Sequence, residues 1–305
     1  MGAKDSPLRQ RHDLRWEAAI LCSAVLWGTL WIPLRALRGT GLSDASATVV
    51  GFLLPLILLI PFAPGRWRRI IAGGWPLAMG SVCLAAAIAL YAEGVVRGQV
   101  ARVLLLFYLT PVWSTLLARL LLGEAITGRR IATIILGIAG LAVIFGVEAG
   151  VPAPKGLGDW MGLTAGVAWA LAMVNLNRTA ERPIFDRLFV QFVFLGPCFF
   201  LVALVAGGTP HVSPSAEALF ESAPWLLAFA LVWMLPVIWL TIVGASRLDP
   251  GRVAILLMFE IIVGLTTAAV LTDEPFGLRE AVGAGLILAA SGTELVSRFR
   301  SSQSF

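Results

Sequence analysis

The 305-residue chain is far more apolar than a water-soluble protein, with 58% hydrophobic and 13% charged residues. Soluble domains carry about 25% charged residues, so a mean hydropathy of +0.88 places the chain in a lipid bilayer. The net charge of +5 comes from Lys and Arg residues scattered through short loops, which excludes the basic face that a nucleic acid would require. The three cysteines lie in apolar runs without partners at metal-ligand spacing, and both histidines lie outside those runs, so we expect no metal or cofactor.

Ten apolar segments are each long enough to cross the hydrocarbon as a helix, which takes about 20 residues. We number them spans 1 to 10 in chain order: 16–37, 45–63, 75–95, 100–122, 130–147, 159–178, 188–206, 223–244, 251–272 and 279–297. The segments are continuously apolar and do not alternate, which favours helices over the strands of a barrel. The first segment is too long for the core of a signal peptide, and we interpret it as an uncleaved helix. The sequence therefore predicts an all-α membrane protein of ten transmembrane helices.

The Lys and Arg residues are divided unequally between the two sides of these predicted helices. With the N-terminus inside the cell, 17 of the 23 fall in cytoplasmic segments and 6 in external ones. Loops rich in Lys and Arg remain in the cytoplasm, so we predict that both termini are cytoplasmic. That arrangement requires an even number of spans.

The two halves of the sequence align without gaps at an offset of 150 residues. Trp75 aligns with Trp225, and the charged pairs in the same register are Arg97 with Arg247, Arg102 with Arg252, Glu124 with Glu274 and Arg129 with Arg279. Because charged residues are rare in this chain, the agreement indicates an internal duplication with halves 1–149 and 150–305. Each half has five predicted spans, so the two halves must be inverted relative to each other. Secondary transporters with inverted repeats bind their substrates between the halves, near the midplane.

Glu260 is the acidic residue closest to the middle of a predicted span. It lies about nine residues into span 9, which at 1.5 Å per residue is near the centre of the bilayer. A carboxylate at that depth costs several kcal/mol unless it is protonated, paired or hydrated. Two interpretations stay open: Glu260 binds a substrate amine or a proton, or it accepts a hydrogen bond that fixes helix packing.

Aromatic and polar residues inside the spans complete the candidate substrate site. Tryptophan faces bind cations and flat groups, a buried tyrosine needs a hydrogen-bond partner, and a proline frees a backbone carbonyl one turn upstream. On these grounds the candidate substrate-binding residues, besides Glu260, are Trp27, Tyr91, Tyr108, Thr110, Pro111, Trp113, Trp169, Asn175 and Trp239. Packing or lipid contact is the alternative for each of them. No catalytic residue is predicted, since no span contains a histidine and Glu260 has no second acid at its depth.

Several motifs, taken in order, resemble the EamA-type drug/metabolite transporter superfamily. They are Trp27-Gly28 in span 1, Leu109-Thr-Pro-Val-Trp113 and Leu121-Leu-Gly-Glu124 around span 4, and Leu257-Met-Phe-Glu260 in span 9. Within that superfamily the chain is most similar to the YddG-type aromatic amino-acid exporters of Gram-negative bacteria. The resemblance implies a basket of ten helices in the bacterial inner membrane. Its central cavity would be lined by spans 1, 3, 4, 6, 8 and 9, with spans 5 and 10 at the periphery.

The expected function is secondary transport by alternating access across the inner membrane. The resemblance implies that the exported substrates are amino acids, aromatic ones included, and related small metabolites. The expected partners are that substrate and the lipid bilayer, with no nucleic acid, and the chain would be a monomer or a homodimer. The sequence has no nucleotide-binding loop, so ATP is not expected to drive transport directly. A carrier of drug cations, nucleotide sugars or lipid precursors from the same superfamily is the alternative, and proton coupling stays open.

Overall fold

The computed structural model describes residues 7–38, 44–122, 128–145, 154–176, 179, 181–207, 215–245, 247, 256–257, 259–272 and 276–302. Within these ranges the chain is helical and contains no β-strand. Three residues of the predicted repeat, Glu124, Arg252 and Glu274, lie outside the described residues, as does the predicted division between the halves at residue 149.

The described helices follow the predicted spans in order. They are α1 (Pro7–Gly28), α2 (Trp31–Arg38), α3 (Asp44–Leu59), α4 (Trp67–Ile71), α5 (Gly74–Arg97), α6 (Val100–Phe107), α7 (Thr110–Leu122), α8 (Gly128–Phe145), α9 (Leu157–Leu176), α10 (Ile184–Val205), α11 (Ala216–Ala228), α12 (Leu235–Ala245), α13 (Phe259–Leu271) and α14 (Leu278–Ser302). Two 3₁₀ turns, Ile60–Phe62 and Pro64–Arg66, precede α4, and a π-helical turn, Phe229–Met234, joins α11 to α12. Spans 1 and 4, predicted as single helices, are each divided into two.

Some of these helices are long and apolar enough to cross a bilayer by themselves. Among the described residues they are Gly74–Arg97, Ile184–Val205 and Ala216–Gly244. Two bent pairs, Leu14–Gly28 with Trp31–Leu37 and Val49–Phe62 with Pro64–Ile71, raise the number from 3 to 5 if each pair is one span. The chain is thus an all-helical membrane protein in the ranges described, while the count of ten spans stays a prediction.

Span 1 is interrupted between α1 and α2, where the helix axis bends by 40°. Pro33 has no N–H group, so it cannot donate to the carbonyl of Thr29 as a continuous α-helix would require. The N–H group of Ile32 donates to that carbonyl instead, over 3.0 Å. The tighter turn changes the direction of the helix in the middle of the span.

Span 4 is interrupted in the same way between α6 and α7. Pro111 removes the backbone donor for the carbonyl of Phe107. The hydroxyl group of Thr110 donates to that carbonyl over 2.6 Å, so the buried oxygen keeps a partner. Tyr108 directly follows the last residue of α6 and lies in the break before α7.

Glycines allow the helices around these breaks to approach closely, as small residues do in membrane helix pairs. A Cβ atom added to Gly28 of α1 would lie 2.7 Å from the backbone oxygen of Glu260 in α13. A Cβ atom added to Gly166 of α9 would lie 2.7 Å from the backbone oxygen of Phe107 in α6. These two contacts bring spans 1, 4, 6 and 9 together at one place.

Helices α8 and α14, which correspond to spans 5 and 10, pack against each other. At their contact a Cβ atom on Gly140 would lie 3.1 Å from the backbone oxygen of Gly283. The other side of α8 exposes Ile135 and Ile138. No described side chain of either helix lines the cavity described next.

Candidate substrate-binding site

A small cavity lies among α1, α5, α6, α9 and α13. Its volume is about 20 Å³, which is room for one water molecule. The lining residues are Trp27, Ala87, Ile88, Tyr91, Phe107, Trp169 and Glu260. A molecule larger than water does not fit into this volume.

Glu260 supplies the acidic group of the cavity lining. The residue is 6% exposed, and its carboxylate oxygen Oε2 accepts a hydrogen bond of 2.7 Å from the hydroxyl group of Tyr108. This distance is ordinary for a hydrogen bond between a hydroxyl group and a carboxyl oxygen. Among the described residues, no Lys or Arg forms an ion pair with Glu260. Because a carboxylate accepts several hydrogen bonds, it has capacity for a further donor from a ligand.

Aromatic rings form most of the remaining wall. The ring of Trp169 lies perpendicular to that of Trp27, with centroids 6.2 Å apart, and 5.6 Å from the ring of Phe107. The ring of Tyr91 also contacts Phe107, with centroids 5.2 Å apart. Edge-to-face contacts fix ring orientation, and ring faces attract cations and flat apolar groups. The cavity therefore combines one carboxyl group with an aromatic wall.

Hydrogen bonds from neighbouring spans hold the tryptophans of span 1 in place. The indole N–H of Trp27 donates to the hydroxyl of Thr241 in α12 over 3.2 Å, and Ser23 lies 2.6 Å from the same hydroxyl. The indole N–H of Trp31 donates to the hydroxyl of Thr267 in α13, also over 3.2 Å. Sequence reasoning missed these hydroxyl groups, because Ser and Thr in membrane helices mostly bond to their own backbone.

Four of the ten predicted site residues line the cavity: Trp27, Tyr91, Trp169 and Glu260. Tyr108 belongs to the site through its bond to Glu260.

The structure places two predicted tryptophans away from the cavity. Trp239 is 47% exposed and lies on the outside of the helices. Trp113 is half-buried, and its indole N–H is buried without a hydrogen-bond partner among the described residues. Neither side chain lines the cavity.

The remaining three predicted residues act on the helix backbone. Asn175 donates to the carbonyl of Leu171 in its own helix over 3.0 Å. Thr110 bonds to the carbonyl that Pro111 leaves without a backbone donor. Pro111 lies in the first turn of α7, and its side chain is outside the described part of the structure.

Sequence reasoning also missed three apolar lining residues, Ala87, Ile88 and Phe107. Apolar side chains give no signal in an apolar helix, where all faces look alike. For Ala87 and Ile88 the helical repeat did offer a signal. They precede Tyr91 by four and three residues and therefore lie on the same face of the helix.

One end of the helices around the cavity is closed by charged residues. Arg102, at the start of α6, forms an ion pair of 2.9 Å with Asp159, at the start of α9. Arg97 forms an ion pair of 2.8 Å with the buried Glu93. The guanidinium of Arg35 donates to two backbone carbonyls near the end of α5, at 3.2 and 3.3 Å. These contacts join spans 1, 3, 4 and 6 at the same end.

Broken helices that meet at a buried carboxylate inside a membrane protein are typical of secondary transporters. The fold and the site thus define the class as a membrane transporter.

Comparison with known sequences identifies the family. The sequence model of the EamA-like transporter family matches the chain twice, over residues 14–146 and 156–292, and the chain belongs to this family. It is 24% identical over 305 residues to the uncharacterized transporter YvbV of Bacillus subtilis (strain 168), covering 95% of this chain and 94% of that protein. A protein of known crystal structure shares the fold with a TM-score of 0.55 and 21% identity, covering 92% of this chain and 96% of that chain.

These findings confirm the predicted superfamily and point to a transporter of a small molecule in a lipid environment, not to an enzyme. The similarity to YddG-type aromatic amino-acid exporters stays a prediction.

Proposed function

We propose that this chain is a secondary transporter that exports small amine-bearing metabolites, amino acids with aromatic side chains among them, by alternating access. The observation that carries the proposal is the carboxylate of Glu260, which is buried beside aromatic rings in one cavity. An ammonium group is a strong donor to a carboxylate, and the rings attract both a cation and an aromatic side chain. The resemblance to YddG-type exporters supports the same cargo.

For the architecture we propose ten helices in two inverted halves, with both termini in the cytoplasm of a bacterium and the helices in its inner membrane. The family model matches each half separately. The helix contacts support this arrangement, because equivalent helices of the two halves make equivalent contacts. In one contact α9 (span 6) packs on α5 and α6 (spans 3 and 4). In the other, α1 (span 1) packs on α12 and α13 (spans 8 and 9). A glycine allows the close approach at each contact, Gly28 of α1 against α13 and Gly166 of α9 against α6.

In this orientation the end closed by Arg102 and Asp159 faces the exterior. The chain then has its external side closed by ion pairs and its cavity reduced to the volume of a water molecule. Export would require the helices to separate first on the cytoplasmic side and then on the external side.

A carrier of organic drug cations is the second candidate. It is favoured by the charge of the cavity, whose described lining contains the carboxylate of Glu260 and no Lys or Arg. The same observation weighs against nucleotide sugars and other anions, because a buried carboxylate repels them without compensation.

Reconstitution in liposomes tests the proposal. The purified protein is loaded into vesicles, and fluxes of labelled phenylalanine, tryptophan, threonine, a tetraalkylammonium ion and a sugar nucleotide are measured with and without a pH gradient. We expect the aromatic amino acids to move faster than the sugar nucleotide. The absence of amino-acid flux would refute amino-acid export, and flux of the tetraalkylammonium alone would select the second candidate.

A variant of the buried acid tests the role of the carboxylate. Glu260→Gln keeps the size of the side chain and removes its charge, and we expect at least a roughly tenfold loss of affinity for an ammonium ligand. Glu93→Gln is the matched control, because Glu93 is also a buried acid but pairs with Arg97 outside the cavity. The affinity of Glu93→Gln for the ammonium ligand should stay within about twofold of the parent value, even if the variant is less stable. An equal loss in both variants would assign Glu260 to helix packing.

A further inference from the structure

We infer that the hydroxyl group of Tyr91 is the second polar contact of the substrate site, and that it binds the carboxylate of an α-amino acid whose ammonium group binds Glu260. This inference rests on the proposed function and specifies its substrate class. It makes the site selective for zwitterionic amino acids over amines of the same shape.

The first observation is that the Tyr91 hydroxyl is buried and unpaired. The residue is 3% exposed, and its oxygen has no hydrogen-bond partner among the described residues. Buried hydroxyl groups are normally paired, because an unpaired one costs free energy. Neighbouring polar groups follow this rule, since Tyr108 donates to Glu260 and Trp27 to Thr241. Tyr91 differs from Ser81 and Trp113, which are also unpaired, because it lines the cavity, so a molecule bound there can complete its hydrogen bond.

The second observation is the position of Tyr91 relative to Glu260. Both residues line the same cavity of about 20 Å³, so a molecule no larger than water can contact both walls. The contact with Phe107, at 5.2 Å between ring centroids, fixes the orientation of the Tyr91 ring. An α-amino acid carries its ammonium and carboxylate groups on one carbon atom, so two protein groups that line the same cavity can bind both of them.

The chemistry of the two groups is complementary to that pair of charges. The Glu260 carboxylate is an acceptor and matches the ammonium group. The Tyr108 hydroxyl already uses its proton on Glu260, whereas the proton of Tyr91 is available for the substrate carboxylate. The described lining contains no Lys or Arg that could take this role. A hydroxyl donor to a carboxylate forms a charge-assisted hydrogen bond, which is stronger than one between neutral groups.

The test compares two ligands that differ by the carboxylate alone. Phenylalanine and 2-phenylethylamine share the ring and the amine, and the affinity of each is measured for the parent and for Tyr91→Phe in detergent and in liposomes. We expect Tyr91→Phe to bind phenylalanine about tenfold more weakly, as for loss of one hydrogen bond to a charged group. Its affinity for 2-phenylethylamine should stay within about twofold. The ring contact with Phe107 is kept, so the variant is expected to fold, and its thermal unfolding is measured to verify this.

Ser81→Ala is the matched control. Ser81 lies on the same helix, and its hydroxyl is also buried without a partner among the described residues, but it does not line the cavity. We expect it to leave both affinities unchanged. Equal losses of both ligands in Tyr91→Phe, or an unchanged affinity for phenylalanine, would overturn the inference and leave Tyr91 as a contact for water. If neither ligand binds the parent protein, the proposed function fails instead.

Discussion

Replacing Gly28 by alanine is expected to push α1 away from α13 at the level of the substrate site. The added Cβ atom would lie 2.7 Å from the backbone oxygen of Glu260, 2.9 Å from the Cβ atom of Val263 and 3.0 Å from the backbone nitrogen of Gly264. Two of these three neighbours are backbone atoms of a helix, which cannot turn away as the end of a flexible side chain would.

The size of the effect follows from these distances. Ordinary contact begins at 3.4 Å, so the helices must separate by about 0.7 Å to accommodate one methyl group. Overpacking of this kind typically costs about 1 to 3 kcal/mol. Because the clash is with the residue that bears the carboxylate, the same movement displaces Glu260 from Tyr108, to which it is now bonded over 2.7 Å. We therefore expect both the free energy of unfolding and the substrate affinity to fall in Gly28→Ala.

The free energy of unfolding is measured in detergent by titration with a denaturant, and affinity is measured on the same preparations. Gly285→Ala is the matched control, because a Cβ atom at Gly285 in α14 would meet nothing within 4 Å. Alanine is favoured over glycine in a helix by about 1 kcal/mol, so this variant should be as stable as the parent or more so. A Gly28→Ala protein with unchanged stability and affinity would refute the close approach of α1 and α13.

Five further substitutions test the cavity wall, the break in span 4 and the ion pair at the closed end. Trp169→Ala should weaken binding of an aromatic amino acid by at least about tenfold, measured at equilibrium. Trp239→Ala should change it less than about twofold, because Trp239 is 47% exposed; similar losses would refute the assignment of the cavity. Thr110→Val should lower the free energy of unfolding by about 1 to 3 kcal/mol, as it leaves a buried carbonyl unpaired, and an unchanged value would contradict that role. Asp159→Asn and Arg102→Gln should show a coupling of about 1 kcal/mol in a double-mutant cycle, and a coupling near zero would show that the ion pair does not contribute.

The sequence predicted apolar helices, which the described residues form, but not which side of a helix each residue occupies. Trp169 and Trp239 were predicted alike, and Trp169 lines the cavity whereas Trp239 is exposed. Lipid and protein interior are equally apolar, so no polar face distinguishes the outside of such a helix. Phe107 lines the cavity and was missed for the same reason.

Residues with a high cost of burial were easier to predict. A carboxylate in the membrane requires a partner, and Glu260 has one in Tyr108. The same logic applied to Pro111 pointed to a backbone carbonyl without a donor, and the structure shows which hydroxyl supplies one. Pro33 carries an equivalent signal for the bend in span 1, and it was not used. The free-energy cost of burying a polar group thus identifies residues that need a hydrogen-bond partner, whereas the identity of the partner depends on tertiary contacts.

The hydrogen bond between Tyr108 and Glu260 joins the two proposed halves of the chain at the site itself. If the halves move relative to each other during transport, this bond must lengthen or break. A substrate ammonium is also a donor to Glu260, so its binding can replace the bond to Tyr108 and lower the cost of separating the halves. An uncharged ligand of the same shape offers no such replacement. In the proposed mechanism the Glu260 carboxylate therefore has two roles. It binds the substrate ammonium, and it accepts the hydrogen bond that holds the two halves together, so that substrate binding and separation of the halves are coupled.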